Sequence, residues 1–114
     1  MKILTIFSAL FLLTAIYSCQ HSSICTGTTP TYTANVKPIL DSYCAMPEMH
    51  CHGGNGSDIN LSDYAGASQA SKKKSFMGSI EHRTIYAQMP KGGVVMPIDQ
   101  IRVLSCWVEN GSPE

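Results

Sequence analysis

The chain has 114 residues, which is enough for one domain of ordinary size. Its 8 basic and 8 acidic residues give a formal net charge of zero, so it lacks the basic excess by which proteins bind nucleic acid. A domain this small buries a limited share of its surface, and staples such as disulfides, metals or a covalent cofactor are expected to support it. The 5 cysteines are the first candidates for that support.

The first 18 residues are typical of an export signal. Lys2 is followed by residues 3–16, a run that is apolar except for three hydroxyl side chains. Residues 16–19, Ile-Tyr-Ser-Cys, resemble the lipobox of bacterial lipoproteins. This resemblance implies that residues 1–18 are a signal peptide and that Cys19 carries lipid. A plain secretory signal and an uncleaved anchor are the alternatives, but the apolar run is shorter than the ~20 residues that span a bilayer.

Residues 19–31 are rich in Ser, Thr and Gly, and they are predicted to form a tether between the lipid and a domain of residues 32–114. Within residues 36–43 apolar side chains recur at helical spacing. This pattern predicts a short helix that ends at Cys44, with Pro38 tolerated in the first turn. The candidate caps are Thr33 and Asn35.

Residues 45–60 contain a proline and three glycines and are predicted to be a loop. A helical turn is predicted to begin at Ser62, a longer helix to cover residues 75–88 before Pro90, and a final helix to cover residues 97–110. The residues of this last helix expected to face the core are Ile98, Ile101, Leu104 or Ser105, Trp107 and Val108. Because no strand alternation is present, the predicted class is all-α, with long loops that need support beyond chain packing.

Residues 44–52, Cys-Ala-Met-Pro-Glu-Met-His-Cys-His, carry the motif with the most chemistry. A c-type haem is held by two cysteine thioether bonds, and the histidine after the second cysteine binds the iron. Cys51 and His52, followed by two glycines, supply the second half of that pattern. Six residues instead of the usual two separate Cys44 from Cys51, so the spacer must bulge outward with Pro47 at the bend.

The order of segments along residues 32–113 resembles the cytochrome c-like domains of bacterial exported proteins, some of which widen the spacing between the haem cysteines. The matching segments are residues 32–40 before the cysteines, 61–64 after them, the Met89-Pro90 loop and residues 101–111, which include Trp-Val-Glu-Asn-Gly. The resemblance implies a cytochrome c-like fold of short helices and loops around one covalent haem c.

The resemblance also implies a role for individual residues. Cys44 and Cys51 are expected to form the thioether bonds, His52 to be the proximal iron ligand and Met89 the distal one. Met96, which also precedes a proline, is the alternative distal ligand. His82 is a lesser alternative. Its simpler interpretation is as an exposed residue on the surface of the predicted helix of residues 75–88.

Cys25 and Cys106 are the remaining thiols, and in an oxidising compartment an even pair is expected to form a disulfide. In cytochrome c folds the first and last helices cross, so the resemblance implies that the tether can reach the last helix and pair these two cysteines. The alternative is a buried free thiol at Cys106, with Cys25 pairing between chains.

The resemblance implies an exported electron-transfer protein, anchored by lipid and facing the periplasm or cell exterior, whose partners are redox proteins at the membrane. It is not expected to be an enzyme, because the sequence has no nucleophile–base motif, paired carboxylates or phosphate-binding glycine loop. Two other functions stay open. One is a copper-binding lipoprotein module that uses the Met, His and Cys side chains of residues 46–52, and the other is a haem-less interaction lipoprotein of cytochrome c ancestry.

Overall fold

The computed structural model describes residues 24–45, 52–53 and 58–114. The predicted signal peptide of residues 1–18 and the predicted lipid site at Cys19 lie outside the described residues. Within the described ranges, no helix is both long enough and apolar enough to cross a membrane.

The described residues form four α-helices and no strand, which agrees with the predicted all-α class. A π-helical turn at Tyr32–Val36 leads directly into the first helix. The four helices are α1 at Lys37–Tyr43, α2 at Tyr64–Ser71, α3 at Lys74–Ile80 and α4 at Ile98–Glu109. Loops connect them, and the longest described loop, between α3 and α4, carries both candidate methionines.

Side-chain caps fix where the first elements begin. The Thr31 hydroxyl accepts a hydrogen bond from the Ala34 amide at 3.4 Å, and the Asn35 side chain accepts one from the Thr31 amide at 3.0 Å. The cap is therefore Thr31, supported by Asn35, and not Thr33. Asp63 caps α2 by accepting from the Gly66 amide at 2.8 Å, one residue after the predicted Ser62.

The C-terminal end of α4 is closed by a Schellman motif, in which two amides beyond the helix bond to carbonyls of its last turn. The Gly111 amide donates to Val108 at 3.1 Å, and the Ser112 amide donates to Trp107 at 2.8 Å. Gly111 has a φ of +85°, in the left-handed region that glycine adopts without steric cost. The predicted end of the last helix at Asn110 is thus confirmed, with Gly111 in the left-handed position.

Helix α3 ends with the same motif, much earlier than predicted. The His82 amide donates to Ser79 at 3.2 Å, and the Arg83 amide donates to Gly78 at 2.9 Å. His82 has a φ of +54°, so the chain leaves the helix there, and no residue of 83–88 is helical. The predicted helix of residues 75–88 was wrong because a histidine occupies the left-handed position where glycine usually signals the stop.

Trp107 is at the centre of the hydrophobic core and is fully buried. Its ring lies 6.2 Å from the Tyr32 ring and 6.5 Å from the Phe76 ring, and its indole N–H donates to the Pro113 carbonyl at 2.7 Å. The other large side chains buried with it are Val36, Leu40, Met96 and Leu104. Ile98, predicted to face the core, is instead 71 % exposed in the first turn of α4, and Ile101 is the first residue of this helix that packs against the core.

Tyr32 joins the first turn of the domain to its C-terminal end. The Tyr32 amide donates to the Pro113 carbonyl at 2.9 Å, and the phenol donates to the Leu61 carbonyl at 3.4 Å. Burial raises the pKa of this phenol above its ordinary value, with smaller contributions from nearby charges. The first and last elements therefore share one packed core.

A disulfide joins Cys25 to Cys106, the two cysteines that the sequence analysis paired. Their Cα atoms are 5.2 Å apart, and 81 positions separate them along the chain. The Asn110 side chain also donates to the Thr28 carbonyl at 3.1 Å. The last part of the predicted tether is thus held against α4 by one covalent bond and one hydrogen bond.

We expect Cys25→Ser to lower the free energy of unfolding by about 2–4 kcal/mol, because the disulfide closes a long loop and restricts the unfolded chain. Urea unfolding followed by far-UV circular dichroism measures the change. Ile24→Ser is the matched control, since Ile24 is 64 % exposed and its replacement should alter stability by less than about 0.5 kcal/mol. Equal unfolding midpoints for Cys25→Ser and wild type would contradict the expectation.

Candidate functional site

A cleft lies among the end of α1, α2, α3 and the loop that follows α3. It encloses about 600 Å³ of empty space, including the part that opens to solvent. Three lining residues are predicted haem-site residues: Cys44, His52 and Met89. The others are Ile59, Leu61, Ala70, Lys73, Ser75, Phe76, Ser79 and Ile80. The lining is therefore mainly apolar, with sulfur and imidazole donors among its members.

Cys44 lies at the C-terminal end of α1 and is 6 % exposed. Its amide donates to the Leu40 carbonyl at 2.8 Å and completes the last turn of the helix. Its own carbonyl accepts a hydrogen bond of 2.7 Å from the His52 amide. The backbones at Cys44 and His52 are thus adjacent, although seven residues separate them in the sequence.

The backbone of His52 is held on both sides. Besides the amide bond to Cys44, its carbonyl accepts from the Leu61 amide at 2.7 Å. A Cβ atom at the next residue, Gly53, would overlap the Ala45 carbonyl, so the close approach of these two chain segments requires glycine. This steric constraint explains why a glycine follows the Cys-His pair.

The imidazole of His52 has a defined tautomer. Its Nδ1 lies 3.2 Å from the Ile59 carbonyl oxygen, which only accepts hydrogen bonds, so Nδ1 carries the proton. The ring lone pair is then on Nε2. Histidines that bind metals commonly donate their other ring N–H to a carbonyl in this way, because the bond orients the ring and makes the ligating nitrogen more basic.

The two candidate distal ligands have different surroundings. Met89 is half-buried, lines the cleft and donates from its amide to the Ser79 carbonyl at 3.1 Å. Met96 is 2 % exposed and belongs to the hydrophobic core with Leu104 and Trp107. This placement favours Met89 over Met96 as the residue that meets a ligand in the cleft.

The other predicted residues are not part of the described cleft. Cys51 and the spacer of residues 46–50, which include the copper candidates Met46, Met49 and His50, lie outside the described residues. His82 is half-buried beyond the end of α3, and its Nε2 lies 3.1 Å from the Met89 carbonyl oxygen. The predicted place for His82, an exposed helix surface, was therefore wrong.

Sequence reasoning missed the cleft wall formed by Ile59, Lys73 and Phe76. The apolar side chains of this wall indicate burial in the sequence. Periodicity, however, does not distinguish a position that faces the core from one that faces a cleft. Lys73 belongs to a run of three lysines that indicates only a solvated surface.

The possible metal ligands in the described lining of the cleft are one cysteine, one histidine and one methionine. Within the described part of the chain, no three His, Cys, Asp or Glu side chains lie close enough together to hold a metal ion. Histidine and methionine side chains are ligands of iron in one class of haem protein, and a cysteine can form one of the two bonds that attach a c-type haem. No family model matches the chain, and no curated protein or solved structure is significantly similar to it.

The different surroundings of the methionines predict different tolerance to substitution. Met96→Ala should lower the free energy of unfolding by about 2–5 kcal/mol because it leaves a cavity beside Trp107. Met96→Leu keeps the volume and should cost less than about 1.5 kcal/mol. Val94→Ala, at a side chain that is 55 % exposed, is the control with little change expected. Chemical denaturation measures all three, and a Met96→Ala protein as stable as the control would contradict the core assignment.

Proposed function

We propose that the protein is a monohaem c-type cytochrome that transfers electrons and is anchored to a membrane by lipid at Cys19. The observation that carries this proposal is the shared lining of one cleft by Cys44, His52 and Met89. Met89 is far from the other two in sequence, and each of the three is a residue that the resemblance assigned to the haem. The residues present therefore fit a haem c.

The axial ligands would be Nε2 of His52 and the sulfur of Met89. The bond between His52 Nδ1 and Ile59 supports this role, because it leaves the lone pair on the required nitrogen. When bound, the haem supplies one-electron exchange between ferric and ferrous iron. If His52 and Met89 both held the iron, they would leave no site for oxygen, so electron transfer is favoured over catalysis.

The backbone supports the proposal despite the unusual spacing of the cysteines. With the usual two-residue spacer, the histidine follows the first cysteine by four positions, which is the spacing of one helical hydrogen bond. Here the Cys44 carbonyl and the His52 amide are joined at 2.7 Å despite the longer spacer. The first cysteine and the histidine are therefore adjacent despite the longer spacer, as attachment of a haem through Cys44 beside His52 would require.

The rest of the lining has roles that suit the same ligand. Ile59, Leu61 and Phe76 present apolar surface that would exclude water from a porphyrin face, and a drier site raises the reduction potential. Lys73 and Ser75 add a cation and a hydroxyl to the lining, which suit the carboxylates that a haem carries.

Expression of the chain with a bacterial export and haem-attachment pathway tests the proposal. We expect a pyridine haemochrome spectrum with one haem per chain, and haem stain that survives a denaturing gel. Cys25→Ser should keep the haem, because that cysteine belongs to the disulfide beyond the cleft. A colourless protein that binds one copper ion, or a colourless metal-free protein, would overturn the cytochrome assignment in favour of a copper module or an interaction lipoprotein, respectively.

The distal ligand has a separate spectroscopic test. Met89→Ala should abolish the weak near-infrared sulfur-to-iron band of the ferric protein and leave the haem attached, because the thioether bonds do not involve this residue. Met96→Leu is the matched control and should keep the band. If the band persists in Met89→Ala, Met89 is not the ligand.

A further inference from the structure

His82 adopts a backbone conformation that its side chain makes costly. In the two Schellman motifs of the chain's described part, the left-handed position is held by Gly111 after α4 and by His82 after α3. A Cβ atom is disfavoured at positive φ, and glycine has no such penalty. Strained residues of this kind often mark a functional constraint, so the imidazole of His82 is expected to have a task that glycine could not perform.

The imidazole contacts the backbone of Met89. His82 Nε2 lies 3.1 Å from the Met89 carbonyl oxygen, and because that oxygen only accepts, Nε2 is the donor. On the other side of the same residue, the Met89 amide donates to the Ser79 carbonyl at 3.1 Å. Both backbone polar groups of Met89 are thus attached to the end of α3.

The segment between these contacts is folded back on α3. The Tyr86 amide donates to the Arg83 carbonyl at 3.0 Å, and the Tyr86 ring lies so close to Gly78 that a Cβ there would overlap it. Gly78 is also the residue whose carbonyl accepts from Arg83 in the Schellman motif. Residues 78–89 therefore form a loop closed on itself, which we call the clasp. His82 lies at its turn and Met89 at its end.

We propose that His82 is a positioning residue, which holds Met89 in the cleft through its hydrogen bond to the Met89 carbonyl. The inference rests on the proposed function in so far as Met89 is an iron ligand. A thioether is a weak ligand, so its occupancy of the iron depends on how firmly the protein holds it in place. The clasp supplies that hold from a helix end, which is more rigid than the loop itself.

Three substitutions separate the hydrogen bond from the backbone strain. His82→Gly removes the donor and relieves the strain, His82→Ala removes the donor and keeps the strain, and His82→Gln keeps both the strain and a donor of similar reach. If His82 acts only on helix geometry, His82→Gly should behave as wild type. If it positions Met89, His82→Gly and His82→Ala should behave alike and His82→Gln should restore wild-type behaviour.

In the haem protein the readouts are the near-infrared sulfur-to-iron band and the displacement of methionine by added imidazole. We expect the apparent affinity for imidazole to rise about tenfold in His82→Gly, which corresponds to the loss of one hydrogen bond. Thr84→Ala, an exposed change in the same loop, should leave both readouts unchanged. An unaltered band and affinity in His82→Gly would overturn the proposal.

A second readout does not depend on haem. Hydrogen exchange of the Met89 amide should be about tenfold faster in His82→Gly than in wild type and should return to the wild-type rate in His82→Gln. A wild-type protein without haem would refute the proposed function, and the exchange rates would still decide whether His82 holds Met89. Equal exchange in all variants would overturn the positioning role even if haem is bound.

Discussion

One backbone hydrogen bond, from the His52 amide to the Cys44 carbonyl, is the contact on which the rest of the cleft depends. It joins the end of α1 to the segment that carries the imidazole. A second bond, from the Leu61 amide to the His52 carbonyl, holds this segment against the residues that precede α2. These two bonds fix the backbone of the histidine relative to α1.

The two methionines of the long loop show how neighbouring residues of one type acquire different roles. Met96 fills space beside Trp107, where a flexible apolar side chain packs well. Met89 is held by its backbone, and this leaves its side chain at the cleft wall. The difference arises from long-range contacts, since each methionine is followed by a proline.

The sequence predicted those features that depend on local chemistry. The amphipathic spacing before Cys44, the apolar residues of α4 and the Asn110-Gly111 stop gave the approximate positions of the first and last helices. The early end of α3 was missed because the residue in its left-handed stop position is His82, and glycine is the residue that usually signals such a stop. The cleft itself depends on bonds between distant backbone groups, such as Cys44 to His52, and side-chain patterns carry no record of such bonds.

The disulfide has a consequence for how the proposed lipoprotein would sit at a membrane. Cys19, the proposed acylated residue, precedes Cys25 by six positions, and a fully extended chain of that length reaches about 20 Å. Because Cys25 is bonded to Cys106, the proposed tether would connect the lipid directly to the last helix, and the first turn of the domain would not be part of this connection. In the proposed lipoprotein, so short a tether would limit the protein's height above the bilayer and the range of orientations in which it could meet a partner.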